Sequence, residues 1–164
     1  LIIIDTNIIS TFCRIDQLPI LFQLFPQDKF GITPAVYDEL MEAIPLGFSF
    51  LEQAKSSIES GDLQIIPLQP EEIQSKQNLP RSFGPGDLES VIICQHRSYV
   101  LLTNDKRLRN FCKDEGITFY DLPMLLRALW ENGVYPKQKV RQFISEIEAK
   151  ENMVIKKKEE IFQD

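Results

Sequence analysis

The sequence predicts an α/β fold of three layers, α/β/α, with helices on both faces of a central parallel sheet of about five strands. Three observations carry this. Leu1-Ile2-Ile3-Ile4 and Tyr99-Val100-Leu101-Leu102 are continuous apolar runs, too short to span a membrane and too apolar for loops, as expected of strands buried on both faces. Strand-like runs alternate with helical patterns along the chain, which implies parallel strands joined by crossover helices. Both apolar runs end on an acid, Asp5 and Asp105, which places carboxylates at the edge of the sheet where sites form in open α/β folds.

Taken in order, Ile8–Ile15 reads as a short helix and Asp16–Phe25 as another, with Pro19 near its start. Lys29–Ile32 is a brief strand. Thr33-Pro34 is a cap followed by proline at the first helical position, opening a helix through Met41 with Val36 and Leu40 on one face. Gly47–Ser60 is a further helix stopped by Gly61, and Leu63–Pro67 a third strand. Gln69–Gly86 is polar and rich in Pro, Ser and Gln, with at most one helical turn at Pro70–Gln74, and is expected to be the least ordered interior stretch and a candidate active-site flap. Asp87–Arg97 is a strong helix and Tyr99–Thr103 the fourth strand. Lys106–Glu115 is a helix ended by Gly116, Ile117–Tyr120 the fifth strand, and Leu122–Glu131 a helix closed by Asn132-Gly133. The tail from Pro136 to Asp164 reads as one long polar helix marked by Val140, Phe143, Ile144 and Ile147. The expected division is a main domain over 1–135 and a helical extension over 136–164 that packs on it or projects from it.

The 164 residues suit one domain with a substantial core. A hydrophobic content of 43% and a charged content of 26% are ordinary for a soluble chain, and no run resembles a membrane span or a signal peptide. The opening Leu1 in place of Met reads as a trimmed or late-numbered start. Cys13, Cys94 and Cys112 are widely spaced within apolar patterns, which predicts reduced core thiols in a cytoplasmic protein and no disulfide frame. With His96 the lone histidine, zinc chemistry is disfavoured. The formal net charge of -6 is a poor footprint for a general nucleic-acid binder, so any grip on RNA must be local.

The two strand-terminal acids are the most informative feature. If the first and fourth strands are neighbours, Asp5 and Asp105 emerge side by side. Glu39 lies on the first turns of the helix after the second strand. Asp87 and Glu89 lie at the start of the helix before the fourth, and in a parallel sheet both helix starts reach the same rim. Carboxylates crowded in this way raise one another's pKa unless a cation intervenes. A set without His or Cys suits a hard, oxygen-seeking ion, Mg²⁺ or Mn²⁺, one or two in number, and in-line hydrolysis of a phosphodiester is the chemistry suggested. Each acid also has a plain structural use. Asp5 could cap the next helix through the amides of Thr6 or Asn7, and Asp105 could cap Lys106–Glu115. Helical phase does not decide between Asp38 and Glu39, and Asp121 is expected to cap the Leu122 helix.

The segments LIIIDTNIIS (1–10), ITPAVYDEL (32–40), GPGDLESVIICQ (84–95) and LLTNDKRLRNFCKDEGI (101–117) together resemble the PIN-domain family, which includes the VapC-like ribonuclease toxins. The resemblance implies a PIN-like fold and Mg²⁺- or Mn²⁺-dependent RNA cleavage by a quartet of acids. Residue by residue, Asp5 matches the first acid, Glu39 the helix acid and Asp105 the last. The third position falls on Glu89, with Asp87 as an accessory ligand or a cap. Asp5, Glu89, Asp105 and Asp87 would thus hold metal. Thr6 and Asn7 match the polar residues that steady the first acid or a metal-bound water, and Asn104 is placed for a similar task.

Lys106, Arg107, Arg109 and Arg14, with Lys76 and Arg81 near the same rim, could bind phosphates of looped or single-stranded RNA, or could pair with nearby acids. The implied function is a metal-dependent endoribonuclease, with RNA as substrate, a small antitoxin and a homodimer as candidate partners, and no membrane. The length and the Gln69–Gly86 stretch also admit a PIN protein that is not a toxin. The alternative is a catalytically inert PIN-like module that binds RNA or protein. A phosphatase of the haloacid-dehalogenase type would require an acid where Asn7 stands. A response receiver would require an acidic pair and a late lysine, and neither pattern is met.

Overall fold

The computed structural model describes residues 1–164. Five strands, β1 (Ile2–Ile4), β2 (Phe30–Ile32), β3 (Leu63–Ile65), β4 (Val100–Leu102) and β5 (Phe119–Tyr120), form one parallel sheet in the order β3-β2-β1-β4-β5. The chain starts in the middle, winds to one edge and returns to the other side of β1, so the switch point lies between β1 and β4. Ile4 pairs with Leu102, and the Asp5 amide donates to Leu102 O at 2.9 Å, so both strands release their chains at the same level.

Side chains alternate across a strand, and β1 serves two cores. Ile2 and Ile4 join the larger cluster, Ile3 the smaller one. The larger cluster is built with α1 (Thr6–Arg14), α2 (Pro19–Leu24), α3 (Pro34–Ala43), α4 (Glu52–Ser60), α8 (Leu122–Glu131) and α9 (Lys137–Glu151). The smaller is built with α6 (Pro85–Arg97) and α7 (Lys106–Glu115), through Val91, Ile93, Cys94, Leu108 and Cys112. This is the three-layer α/β/α arrangement the sequence predicts. The three cysteines are buried free thiols, and burial pushes Cys13 up to about 12 and Cys112 up to about 11. No helix is long and apolar enough to cross a membrane.

Three stretches differ from the sequence expectation. The helix expected over Gly47–Ser60 begins only at Glu52, after two 3-10 turns, Ile44–Leu46 and Ser49–Leu51, because Pro45 disrupts the helix and Gly47 takes a left-handed φ of 108°. The stretch expected to be the least ordered of the interior is instead pinned. It holds α5 (Pro70–Gln74) and a 3-10 turn over Ser75–Asn78, and buried Glu72 is gripped by Arg97 at 2.7 and 2.9 Å. The Arg97 guanidinium holds the Glu72 carboxyl below its ordinary range.

The tail is not one long helix either. α9 ends at Glu151, Asn152 turns left-handed with φ 50°, and the chain doubles back to a 3-10 turn over Lys158–Phe162. Glu148 holds that return by accepting from the Ile155 amide at 2.8 Å and from Lys158 Nζ at 3.0 Å. Trp130 Nε1 donates to Ile161 O at 2.8 Å. Val140, Phe143, Ile147, Ile155 and Phe162 all enter the larger cluster, so residues 136–164 share the core of 1–135. Phe143→Ala is therefore expected to cost about 3–5 kcal/mol. It should lower the midpoint of one cooperative urea transition without splitting off a separate C-terminal step.

Candidate active site

Asp5 follows the last residue of β1 and caps α1, with Oδ1 accepting from the Thr6 amide at 2.8 Å. Oδ2 accepts from Thr103 Oγ1 at 2.8 Å. The same Thr103 oxygen accepts from the Asp105 amide at 3.2 Å, so one buried hydroxyl links the acids that end β1 and β4. Asp5 is 3% exposed and no lysine or arginine contacts it. Its carboxyl is pushed up to about 7, mainly by burial and further by the charges of Asp87 and Glu39, against the lowering effect of the Thr103 and Thr6 bonds.

Glu39 on α3 is half-buried while Asp38 is exposed, and Thr6 Oγ1 donates to Glu39 Oε2 at 2.6 Å. Its other oxygen lies against Gly86 in the first turn of α6, where a Cβ would stand 2.5 Å from Glu39 Oε1. A side chain at 86 would therefore move this carboxylate. Asp87, the next residue, has its carboxyl raised by burial first and by the charges of Asp105 and Glu39, while the Gly84 backbone and Arg107 lower it. Asp105 caps α7 through Oδ1, which accepts from the Leu108 amide at 3.1 Å, and leaves Oδ2 without a protein partner. Capping and membership of the acidic rim are thus compatible uses of one side chain.

Asp5 feels the charges of Asp87 and Glu39, and Asp87 those of Asp105 and Glu39, so these four acids face one rim, whereas Glu89 is engaged elsewhere. Asp87 and Glu89 are two residues apart, about 200° around a helix axis, so one α6 face cannot present both. Glu89 is buried and occupied elsewhere, with Oε1 accepting from the Ala35 amide at the start of α3 at 2.8 Å and Oε2 from Lys76 at 3.1 Å. Glu89, the residue the resemblance places third, is thus tied into the α3–α6 packing, and Asp87 is the α6 acid that feels the charges of Asp105 and Glu39. Asn7 Oδ1 accepts from the Asn104 amide at 3.2 Å, and Asn104 Oδ1 from the Leu122 amide at 3.3 Å, so both asparagines brace the rim.

Among the basic candidates, Lys106 is exposed, and exposed Arg107 donates to Ser82 O at 3.1 Å, with its Nε 4.0 Å from Asp105. Arg109 is turned away onto Asp121 at 3.1 Å, which itself caps α8. Arg14 lies 4.4 Å over the Phe50 ring. Thr103 is the site residue that sequence reasoning overlooked. Its position directly before Asn104-Asp105, level with Asp5 across the ladder, was the available signal.

A family model described as a PIN domain matches residues 1–160 of the chain. The chain belongs to the PIN-domain family. No curated protein matches it. The PIN match takes in α9 and the return that follows it, so these are covered by the same family description as the sheet. A PIN domain is a nuclease-type fold, and the acidic rim lies where β1 and β4 of this PIN domain part company.

No group of three or more acidic, histidine or cysteine side chains is arranged to hold a metal ion by itself. Mg²⁺ does not demand one, because it keeps several waters and is bound through one or two carboxylates. The donors here are oxygens only, and the one cation of the protein at this rim is Arg107, its Nε 4.0 Å from Asp105. All-oxygen donors of this kind suit a hard divalent cation by their chemistry.

Two outcomes are expected. Between pH 4 and 7 the metal-free folded state carries more of the Asp5 proton than the unfolded chain, so stability falls as pH rises through this window and levels off above about 7. Denaturation of the metal-free protein across that range should show this slope, and Asp5→Asn should flatten it. Gly86→Ala should melt within about 1 kcal/mol of the parent, since the end of a flexible side chain can yield, but should lower any nuclease rate about ten-fold by displacing Glu39.

Proposed function

We propose that this PIN domain is a divalent-metal-dependent endoribonuclease, hydrolysing RNA phosphodiesters at the rim formed by Asp5, Glu39, Asp87 and Asp105. The observation that supports it most is the charge conflict at Asp5. A carboxylate this buried, facing two further acids and no basic partner, is unfavourable as it stands and becomes favourable with a bound cation. Mg²⁺ or Mn²⁺, when bound, supplies a charge-neutralising contact to the phosphate oxygens and a water of lowered pKa.

The chain's own residues do the rest. Thr103 and the Thr6 amide fix the Asp5 carboxylate in one orientation. Thr6 fixes Glu39 through Oε2 and leaves Oε1 to accept a proton from the attacking water. Asp105 Oδ2 and Asp87 complete the oxygen set, and exposed Lys106 and Arg107 beside them steady a phosphate. Glu89 and Lys76 serve the fold instead, tying the start of α3 and the Ser75–Asn78 turn to α6. A role as the toxin of a toxin–antitoxin pair, with a small antitoxin or a second copy as partner, is one setting for such an activity.

The test is cleavage of a labelled single-stranded RNA with Mn²⁺ or Mg²⁺. Asp5→Asn and Asp87→Asn should each lower the rate by about 10²-fold or more, and EDTA should abolish it. Glu89→Gln should keep more than a tenth of the rate while lowering the melting temperature. Unchanged cleavage in Asp5→Asn would remove this reading. Loss in Glu89→Gln with retention in Asp87→Asn would restore Glu89 as the third acid.

A further inference from the structure

Beside the acidic rim runs a cleft of about 430 Å³, lined by Asn7, Ser10 and Arg14 of α1, by Asn104, and by Lys150 and Asn152 at the end of α9. Its wall adjoins the rim at Asn104, which directly precedes Asp105 and whose amide donates to Asn7 Oδ1 at 3.2 Å. The two asparagine carbonyls face backbone amides, Asn104 N and Leu122 N, which turns both side-chain NH₂ groups loose as unspent donors. The carboxylate lining the cleft, Glu151, is already engaged by Thr11 Oγ1 at 2.8 Å and approached by Arg14 at 3.9 Å. Lys150 spends one donor on Arg14 O at 3.0 Å and keeps the others. In a chain of net charge -6, this wall offers donors and cations where the neighbouring rim offers acids.

Arg14 connects the cleft to aromatic side chains outside it. Arg14 stacks 4.4 Å over Phe50, and Phe48 meets Phe50 edge-on at 6.1 Å while remaining 42% exposed. Cationic and amide donors followed by an open aromatic and guanidinium platform suit a sugar–phosphate backbone with an unpaired base beside it. A duplex keeps its bases stacked on one another and cannot use the platform.

We propose that this α1–α9 cleft is the subsite for unpaired RNA flanking the scissile phosphate, with the backbone against Asn7, Asn104 and Lys150 and a base on Phe48 and Phe50. It rests on the ribonuclease reading above, and it makes the C-terminal helix part of substrate recognition.

The experiment uses the full chain carrying Asp5→Asn, a fluorescein-labelled oligouridylate, and the same strand paired with oligoadenylate. Anisotropy should show the single strand bound at least about ten-fold more tightly than the duplex. Lys150→Glu should weaken single-strand binding about ten-fold and Lys150→Arg should restore it. Lys150→Ala should reduce the slope of log K against log salt by about 0.7, one phosphate contact on a single strand. Phe48→Ala should weaken binding about ten-fold, and 4-thiouridine crosslinks should fall within 46–50 and 150–153. Lys150 and Phe48 are both exposed, and unchanged melting temperatures of these variants verify that the fold is kept. Binding indifferent to Lys150→Glu and Phe48→Ala, equal affinity for duplex, or crosslinks elsewhere would overturn the subsite, the second reading of the exposed Leu46 and Phe48 then being a protein-docking surface. Cleavage by the unaltered chain with Mn²⁺ is scored separately. Cleavage with KM unmoved by Lys150→Glu sinks the subsite alone; cleft-dependent binding without cleavage sinks the nuclease reading alone; neither binding nor cleavage sinks both.

Discussion

The buried carboxylate of Asp5 is the constraint around which the rest is arranged. The strand order requires it to emerge level with Thr103, because Ile4 and Leu102 are paired in the last rung of the β1–β4 ladder. Nothing basic is offered to it. The start of α1 supplies one amide and Thr103 one hydroxyl, enough to orient both oxygens but too little to offset burial beside Asp87 and Glu39. A lysine at this point would have offset the buried charge within the protein itself. The four acids reach the rim by different routes, one ending each of two strands and one from each of two helices. The unresolved charge therefore belongs to the topology and not to one loop.

That topology was largely legible in the residues. Asp5 and Asp105 could be placed because a buried parallel strand has to end, and the residue that ends it sits at the carboxyl edge. Glu39 could be placed because Thr33-Pro34 marks where its helix begins. The choice between Asp87 and Glu89 was not legible from a motif, since both fit a run of acids at a helix start. On the side of α6 that meets α3, Gly86 lets the helix approach Glu39 closely and the residue at 87 follows it. Glu89 then points at the amide of Ala35, where a carboxylate is equally welcome at a helix N-terminus.

The two stretches that composition misjudged share one cause. Gln69–Gly86 looks loose because its own residues are polar, but its order comes from Arg97, distant in sequence, closing on Glu72. The tail looks like a solvated helix because Lys156-Lys157-Lys158-Glu159-Glu160 dominates it. Its reversal depends on a left-handed Asn152 and on Glu148 serving the Ile155 amide and Lys158 together. Local pattern reports what a residue prefers alone. It does not report a partner that only the fold brings near.

Once the tail is seen to be core, α1 becomes the element that joins stability to chemistry. Its first residues hold Asp5 and Glu39 in place, its middle buries Ile8, Ile9 and Phe12, and its last turn carries Arg14. α9 lies along that helix, with Thr11 bonded to Glu151 and the Arg14 carbonyl bonded to Lys150. A rim of mutually repelling carboxylates opposes the folded state in the absence of a cation, so the helix bearing the first of them needs support from elsewhere. The large cluster contributed by α8, α9 and the returning tail supplies it on the far side of the sheet from α6 and α7. Removing the C-terminal segment would therefore do more than shorten the chain. It would withdraw the packing that lets α1 hold a buried acid at a fixed position, and the wall of the cleft beside that acid would leave with it.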